Sequence, residues 1–257
     1  GGLNFVLTPG ASSSIISGGF YYSDYKIGLK EADNRPRESE INGFDASVKV
    51  TTYFDNHSEL NYGIEFTGFK TAYQYYNFIG IKQEQNDYTT QVGAFVKLKK
   101  NFGEKFVLEP GVRVQYYASL PVTRLEPRMA LKYNASENVR FKAAAGMYSQ
   151  NIISSKSDRD IVNFFTGFLT APDFEIANPD GSIANNNIQK AYHLIGGVEV
   201  DLKSLEFTLE PWYKYFGQLI SINRYKLLPS DPDFSIETGK AYGIDFTAKY
   251  AKGRHYF

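Results

Sequence analysis

The chain of 257 residues has no cysteine, a single tryptophan, two methionines and no net charge, its 28 lysines and arginines balancing 28 aspartates and glutamates. Without cysteine no disulfide can staple the fold, so closure must come from hydrogen bonds and packing. Without an excess of either sign there is no long-range field to draw in nucleic acid or anionic lipid, and no nucleic-acid partner is expected. No apolar run comes near the about 18 residues that a spanning helix needs. With a mean hydropathy of −0.36, a helical membrane protein is excluded. The chain opens Gly1-Gly2-Leu3, with neither an initiator methionine nor a signal peptide, as a processed chain or a fragment would.

What is abundant is aromatic residues, 20 Tyr and 20 Phe, and a strict alternation. Leu108, Pro110, Val112, Val114 and Tyr116 interleave with Glu109, Arg113 and Gln115; Leu125, Met129, Leu131 and Tyr133 interleave with Glu126, Arg128 and Lys132. Side chains of a strand point to opposite faces with period two, so one face is apolar and the other ionic. A soluble sandwich would bury the apolar face. A barrel in a bilayer inverts the pattern, with lipid outside and a wet lumen within, and needs only about 9 to 11 alternating residues per crossing.

Turn residues divide the chain into about eleven strands in hairpin order, near 3–8, 14–31, 41–54, 58–76, 88–102, 105–118, 123–135, 138–151, 191–203, 205–221 and 238–251. Connections at 55–57, 103–105, 136–138, 203–204 and 251–253 are tight, whereas 31–42, 77–88, 152–190 and 222–237 are long; the one around Pro121 is short where a long one is due. Short turns on one rim and long loops on the other are the habit of outer-membrane barrels, whose long loops are extracellular. Arg254-His255-Tyr256-Phe257 reads as the start of a further strand, and an open edge is not tolerated in lipid, so part of a larger barrel is expected.

The run Arg124-Leu125-Glu126-Pro127-Arg128-Met129-Ala130-Leu131-Lys132-Tyr133, a turn, then Asn138-Val139-Arg140-Phe141-Lys142-Ala143-Ala144-Ala145-Gly146-Met147-Tyr148-Ser149-Gln150 resembles the mid-barrel hairpin of TonB-dependent outer-membrane receptors. Leu108-Glu109-Pro110-Gly111-Val112-Arg113 looks like the preceding strand, and Gly239-Lys240-Ala241-Tyr242-Gly243-Ile244-Asp245 like a later one, most similar to Bacteroidetes members. The resemblance implies an all-β, antiparallel up-and-down transmembrane barrel, here about 11 to 12 strands of about 22. It also implies TonB-energised import of a scarce ligand (siderophore, glycan, cobalamin or peptide) through a barrel holding a plug domain. Neither the plug nor the short TonB-contacting N-terminal segment has a counterpart here, so both partners are expected from missing parts of the same full-length chain, with outer-membrane lipid around the wall. No cofactor is implied. A passive porin-like channel shares the alternation and stands as the alternative.

Candidate site residues fall into two groups. Glu65, Arg113, Glu126, Arg128, Lys132, Arg140, Glu199, Asp201, Glu210, Lys214 and Asp245 belong to the ionic register and are expected to face the lumen and its plug. Mixed signs allow many exchangeable wet ion pairs, each contributing about 0 to 1 kcal/mol, or simply solvate a channel. Tyr75, Tyr76 and Asn77 reach the long-loop rim, and the loop 152–190 carries Asp158, Arg159, Asp160, Phe164, Phe165 and Phe168; these are the expected ligand-binding candidates, with packing against the wall the simpler reading of the Phe cluster. Asp173, Glu175 and Asp180 lack the ligand spacing of a calcium loop, so no metal is expected. Catalysis is not expected either: some barrels are hydrolases, but His57, His193 and His255 have no nucleophile and acid arranged around them in sequence.

Overall fold

The computed structural model describes all residues except 11, 31–34, 55–56, 156–164, 253–254 and 257, with the main chain alone at 252, 255 and 256. In chain order the strands are β1 (Gly2–Leu7), β2 (Ser14–Leu29), β3 (Arg37–Tyr53), β4 (Glu59–Tyr76), β5 (Lys82–Phe102), β6 (Phe106–Tyr117), β7 (Val122–Asn134), β8 (Val139–Gln150), β9 (Ile152–Ser154), β10 (Phe168–Thr170), β11 (Gln189–Leu202), β12 (Leu205–Ile222), β13 (Phe234–Lys252) and β14 (His255–Tyr256). The eleven expected strands all form, because β-branched and aromatic residues at every second position suit a pleated, half-covered surface. Twelve strands join one antiparallel up-and-down sheet in the order β1 to β8, then β11 to β14, while β9 and β10 pair separately. Among the described residues β1 pairs with β2 alone and β14 with β13 alone, so the sheet is open.

Register separates the two faces. Val48, Ile64, Ala94, Val114 and Leu125 form one cross-strand row, and the adjacent row, on the other face, is Ser47, Glu65, Gly93, Gln115 and Arg124. A slip of one residue would exchange the rows, so both faces enforce the same pairing. The apolar face stays uncovered: Ile64 is 61% exposed and Leu125 61%. It also carries aromatic bands. Phe106, Tyr133 and Phe141 stack beside the short turns, joined there by Phe207 on Phe246, while Tyr192 stacks on Tyr215 nearer the other rim. From Phe106 to Tyr116 is ten residue steps, about 33 Å of strand; at a tilt of about 40° the rise is about 25 Å, the height of the apolar band of an outer-membrane barrel.

The ionic face is concave. Ile27 and Tyr73, on β2 and β4, share one hydrophobic core with Ile220 and Ile236, on β12 and β13. In a flat sheet β2 and β13 would lie about 40 Å apart at about 4.8 Å per strand, so only a curved wall brings them together. At the β12 end a bulge between Phe216 and Leu219 adds local twist and turns the hairpin tip, carrying Ile220, Phe234 and Ile236 into the core.

Three expectations need correction. β3, β5 and β13 begin at Arg37, Lys82 and Phe234, earlier than the alternation suggests, so three of the long connections are shorter. Gln83-Glu84-Gln85-Asn86-Asp87 is polar in both registers and gives no periodic signal, yet it pairs residue for residue with β4. Nor is 152–190 structureless: it holds β9, β10 and a bridge between Ala177 and Ile183. The inward register is also less purely ionic than its spacing suggests, with Ile195 paired to Trp212 and Phe95 paired to Arg113. The short connection at Pro121 persists, closed by the Leu120 amide donating to the Tyr117 carbonyl at 3.2 Å. His255 and Tyr256 form the short β14; Arg254 and Phe257 lie outside the described residues.

Candidate functional site

The long-loop end of the concave face is filled by the chain itself. Residues 165–187, a strap, run across the mouth, and Phe165, Leu169, Ala171 and Ile176 are buried against Tyr73, Ile153, Ile220 and Ile236. Phe165, Leu169 and Ile176 each contribute about 1.5 to 3 kcal/mol in this way, so the strap is held by its own apolar face. Polar contacts add direction. The Ala171 amide donates to the Asn151 carbonyl at 2.8 Å, and Asn187 Nδ2 donates to the Pro172 and Phe174 carbonyls at 2.8 and 2.6 Å.

Above it, loops from opposite walls meet. Asn77 Nδ2 donates to the Lys226 carbonyl at 2.7 Å and Gln83 Nε2 to the Asn223 carbonyl at 3.0 Å, linking the β4–β5 connection and the start of β5 to the β12–β13 connection. Lys226 is buried, and its ammonium pairs with Asp233 at 3.0 Å. Arg37 and Arg224 both sit over the Tyr75 ring, at 5.2 and 5.9 Å.

In that frame the rim candidates take different places. Tyr75 is half-buried under the two guanidiniums, and Tyr76 is half-buried beside it. Asn77 is 2% exposed, its carbonyl accepting from the Ile79 and Ile81 amides at 3.2 and 2.9 Å, so it shapes the turn. Phe165 is buried in the core, and Phe168 is half-buried, edge-on to Tyr25 at 5.7 Å. Asp158, Arg159, Asp160 and Phe164 lie outside the described residues.

The charged candidates share the concave face. Arg113 reaches over Gly93 to Glu65 at 2.6 Å, a path a Cβ at residue 93 would obstruct. Arg140 contacts Glu199 at 2.6 Å and also Asp201, and Lys142 contacts Glu199. Glu210 stands opposite Asp245 in the register, Lys132 opposite Lys142, and Lys214 lies 5.3 Å over the Trp212 ring. Glu126 is 3% exposed: one oxygen accepts from the Ser149 amide and hydroxyl at 2.7 and 2.5 Å, the other from Arg128 at 2.8 Å. Because the Ser149 proton goes to Glu126, the Tyr117 hydroxyl donates to Ser149 Oγ at 2.9 Å. Arg128 in turn lies 4.5 Å over the Tyr148 ring, which lies tilted against His193 at 4.6 Å. Ser149, Tyr148 and Ile195 carry no sequence signal of this grouping, because their partners come from other strands. Toward the short turns the face opens into a concavity of about 610 Å³ lined by Lys99, Glu109, Ala130, Lys142, Ile195 and Glu210.

Among the described residues no three His, Asp or Glu side chains converge as metal ligands. Asp180 instead accepts from the Ser182 hydroxyl and amide, which holds its carboxyl below the usual range. Asp231 does the same for the Leu228 and Leu227 amides, both at 2.9 Å, and is likewise lowered. With the folded-state value depressed, the cap is in place above the ordinary value of 3.8 and is lost as pH falls through the folded-state value. Hydrogen-exchange protection of the Leu227 and Leu228 amides should therefore fall as pH drops below that value, and protection independent of pH would refute the cap.

An antiparallel, up-and-down wall with an apolar convex face, aromatic bands, an ionic concave face and an inward-folded strap defines a partial transmembrane β-barrel. Neither a protein-family model nor a curated protein matches the sequence. Solved structures do. The FrpB iron transporter of Neisseria meningitidis superposes with TM-score 0.69 at 13% identity over 98% of this chain and 42% of its own. A mutant of the ferric enterobactin receptor PfeA of Pseudomonas aeruginosa gives 0.65 at 12% over 96% and 40%, and the copper transporter OprC gives 0.61 at 13% over 98% and 43%. These are TonB-dependent receptors, and the chain has the fold of part of such a receptor's barrel. It spans about two fifths of the length of the structures it matches.

Proposed function

We propose that the chain forms part of the wall of a Gram-negative outer-membrane receptor that captures a scarce ligand at its extracellular mouth and imports it with energy delivered through TonB. The observation that carries this reading is the pairing of an ionic concave wall with a strap and hydrogen-bonded rim loops that fold across its long-loop end. Such an obstruction suits a receptor that admits a selected ligand better than a channel for free diffusion. The charged ladder and the concavity beside Lys99, Lys142 and Glu210 offer a hydrated seat for a plug domain, whose exchangeable pairs hold it without fixing it. Tyr75, Arg37 and Arg224 are the proposed ligand contacts at the rim.

The test uses the whole receptor. Cells carrying it should accumulate ferric siderophore, cobalamin, oligosaccharide or oligopeptide only while the inner-membrane proton gradient is intact, and the purified receptor in planar bilayers should show no steady ion conductance. Uptake indifferent to the gradient together with a stable open conductance would replace this reading with a passive channel.

A further inference from the structure

We propose that the concave face of β3, β4 and β5 at the mouth is a binding surface for an extended peptide segment, and that β10 occupies it as an internal stand-in. An extended strand offers the N–H and C=O of alternate residues along each edge. One edge of β10 is paired with β9 through Leu169 and Ile153. The other edge meets wall side chains where a neighbouring strand would stand. The Phe168 amide donates to Ser39 Oγ at 2.9 Å; two residues on, the Thr170 amide donates to Gln85 Oε1 at 3.0 Å while Gln85 Nε2 donates to the Thr170 carbonyl at 2.9 Å. The Gln85 carboxamide thus does the work of a peptide group in an adjacent strand, and the two bonds fit only one orientation of its amide. Asp87 accepts from the Thr170 hydroxyl at 3.1 Å, which favours a hydroxyl side chain at that place, and Leu169 and Ala171 fill the apolar core beneath.

The chemistry of the wall distinguishes this surface from a permanent interior. The inward side chains of β5 here are Gln83, Gln85, Asp87, Thr89 and Gln91, all polar, under a strap that buries or half-buries them. Thr71 Oγ1, Gln83 Oε1 and Asn151 Nδ2 are buried with no hydrogen-bond partner among the described residues. Groups left this way oppose burial, and an apolar wall would hold the strap better. A wall that exchanges its strap for water or for another extended chain accounts for both features, and reading a main chain edge-on is an established way of gripping peptides.

The proposal rests on the uptake reading for its setting but is tested by binding alone. The probe is a fluorescent peptide of the strap's own sequence, Phe165 to Pro172, and the receptor is the whole protein with residues 166–174 replaced by a Gly-Ser linker of equal length, its folding checked by heat-modifiable migration. This receptor should bind the peptide saturably, and the native receptor should bind it at least about tenfold more weakly because its site is filled. Gln85→Ala in the strap-replaced receptor, or proline in place of Thr170 in the peptide, should each weaken binding about tenfold or more, since each removes a bond made to the main chain. Thr170→Pro in the otherwise intact receptor should raise peptide binding. Absence of saturable binding, or binding untouched by Gln85→Ala and by the proline peptide, would overturn the site. A receptor that fails the uptake test yet binds the peptide in this way leaves the site standing, and one that transports but binds no peptide refutes the site alone.

Discussion

Met129→Arg is expected to cost about 2 to 4 kcal/mol of folding stability in a bilayer, the largest effect among single changes on the convex face. Met129 lies midway along β7, 55% exposed, in the same register face as Leu125 and Leu131. An arginine there must leave water for hydrocarbon, and at this depth its side chain is too short to carry the guanidinium fully to the interface. Lys97, on the concave face and half-solvated beside Glu109, gives the contrast: Lys97→Met should change stability by about 1 kcal/mol or less, the worth of an exposed pair. Urea unfolding of the receptor refolded into lipid vesicles measures both. Equal and small effects at the two positions would mean that Met129 does not face lipid.

Glu126→Ala is the second large effect, expected at about 1 to 3 kcal/mol, the cost of leaving a buried donor without its acceptor. Glu126 is almost wholly buried on the concave face and accepts three hydrogen bonds, two from Ser149 and one from Arg128. Deleting the carboxylate orphans the Ser149 amide and leaves Arg128 without its partner, so the loss exceeds that of an exposed pair such as Lys249 with Glu206. Glu126→Gln keeps an acceptor for Ser149 and should recover part of the loss. If alanine and glutamine behave alike and cost less than about 1 kcal/mol, the buried carboxylate is not holding β7 to β8.

How far sequence reaches is visible residue by residue. Leu108 to Tyr116 alternates cleanly, and the strand, its faces and its place in a membrane wall follow from period two alone. The same rule loses the start of β5, where Gln83 to Asp87 offers no apolar beat, although this stretch supplies the side chains that grip β10. The Phe cluster could be recognised as apolar, but its depth depends on Ile220 and Ile236 arriving from the far end of the sheet, a contact set by curvature that no local pattern encodes. Asn77 illustrates the opposite hazard: a polar residue at a rim looks available for ligand, yet its amide is spent on Lys226 and its carbonyl on the turn. The ionic face is legible as a face, while the particular pairs, Arg113 with Glu65 across Gly93 among them, wait on the register of three strands.

The most direct test of an inside-out wall uses the absence of cysteine from these 257 residues, with any cysteine elsewhere in the whole receptor replaced by serine. Single cysteines placed in turn at each position from Phe106 to Tyr117 of the whole receptor in bilayers, and reacted with a fluorophore, are probed with a lipid-borne quencher and with a water-soluble one. Positions 106, 108, 110, 112, 114 and 116 should be quenched from lipid, and 107, 109, 111 and 113, on the open part of the concave face, from water. A pattern without that alternation, or with lipid contact at Glu109, Arg113 and Gln115, would contradict the membrane-barrel reading.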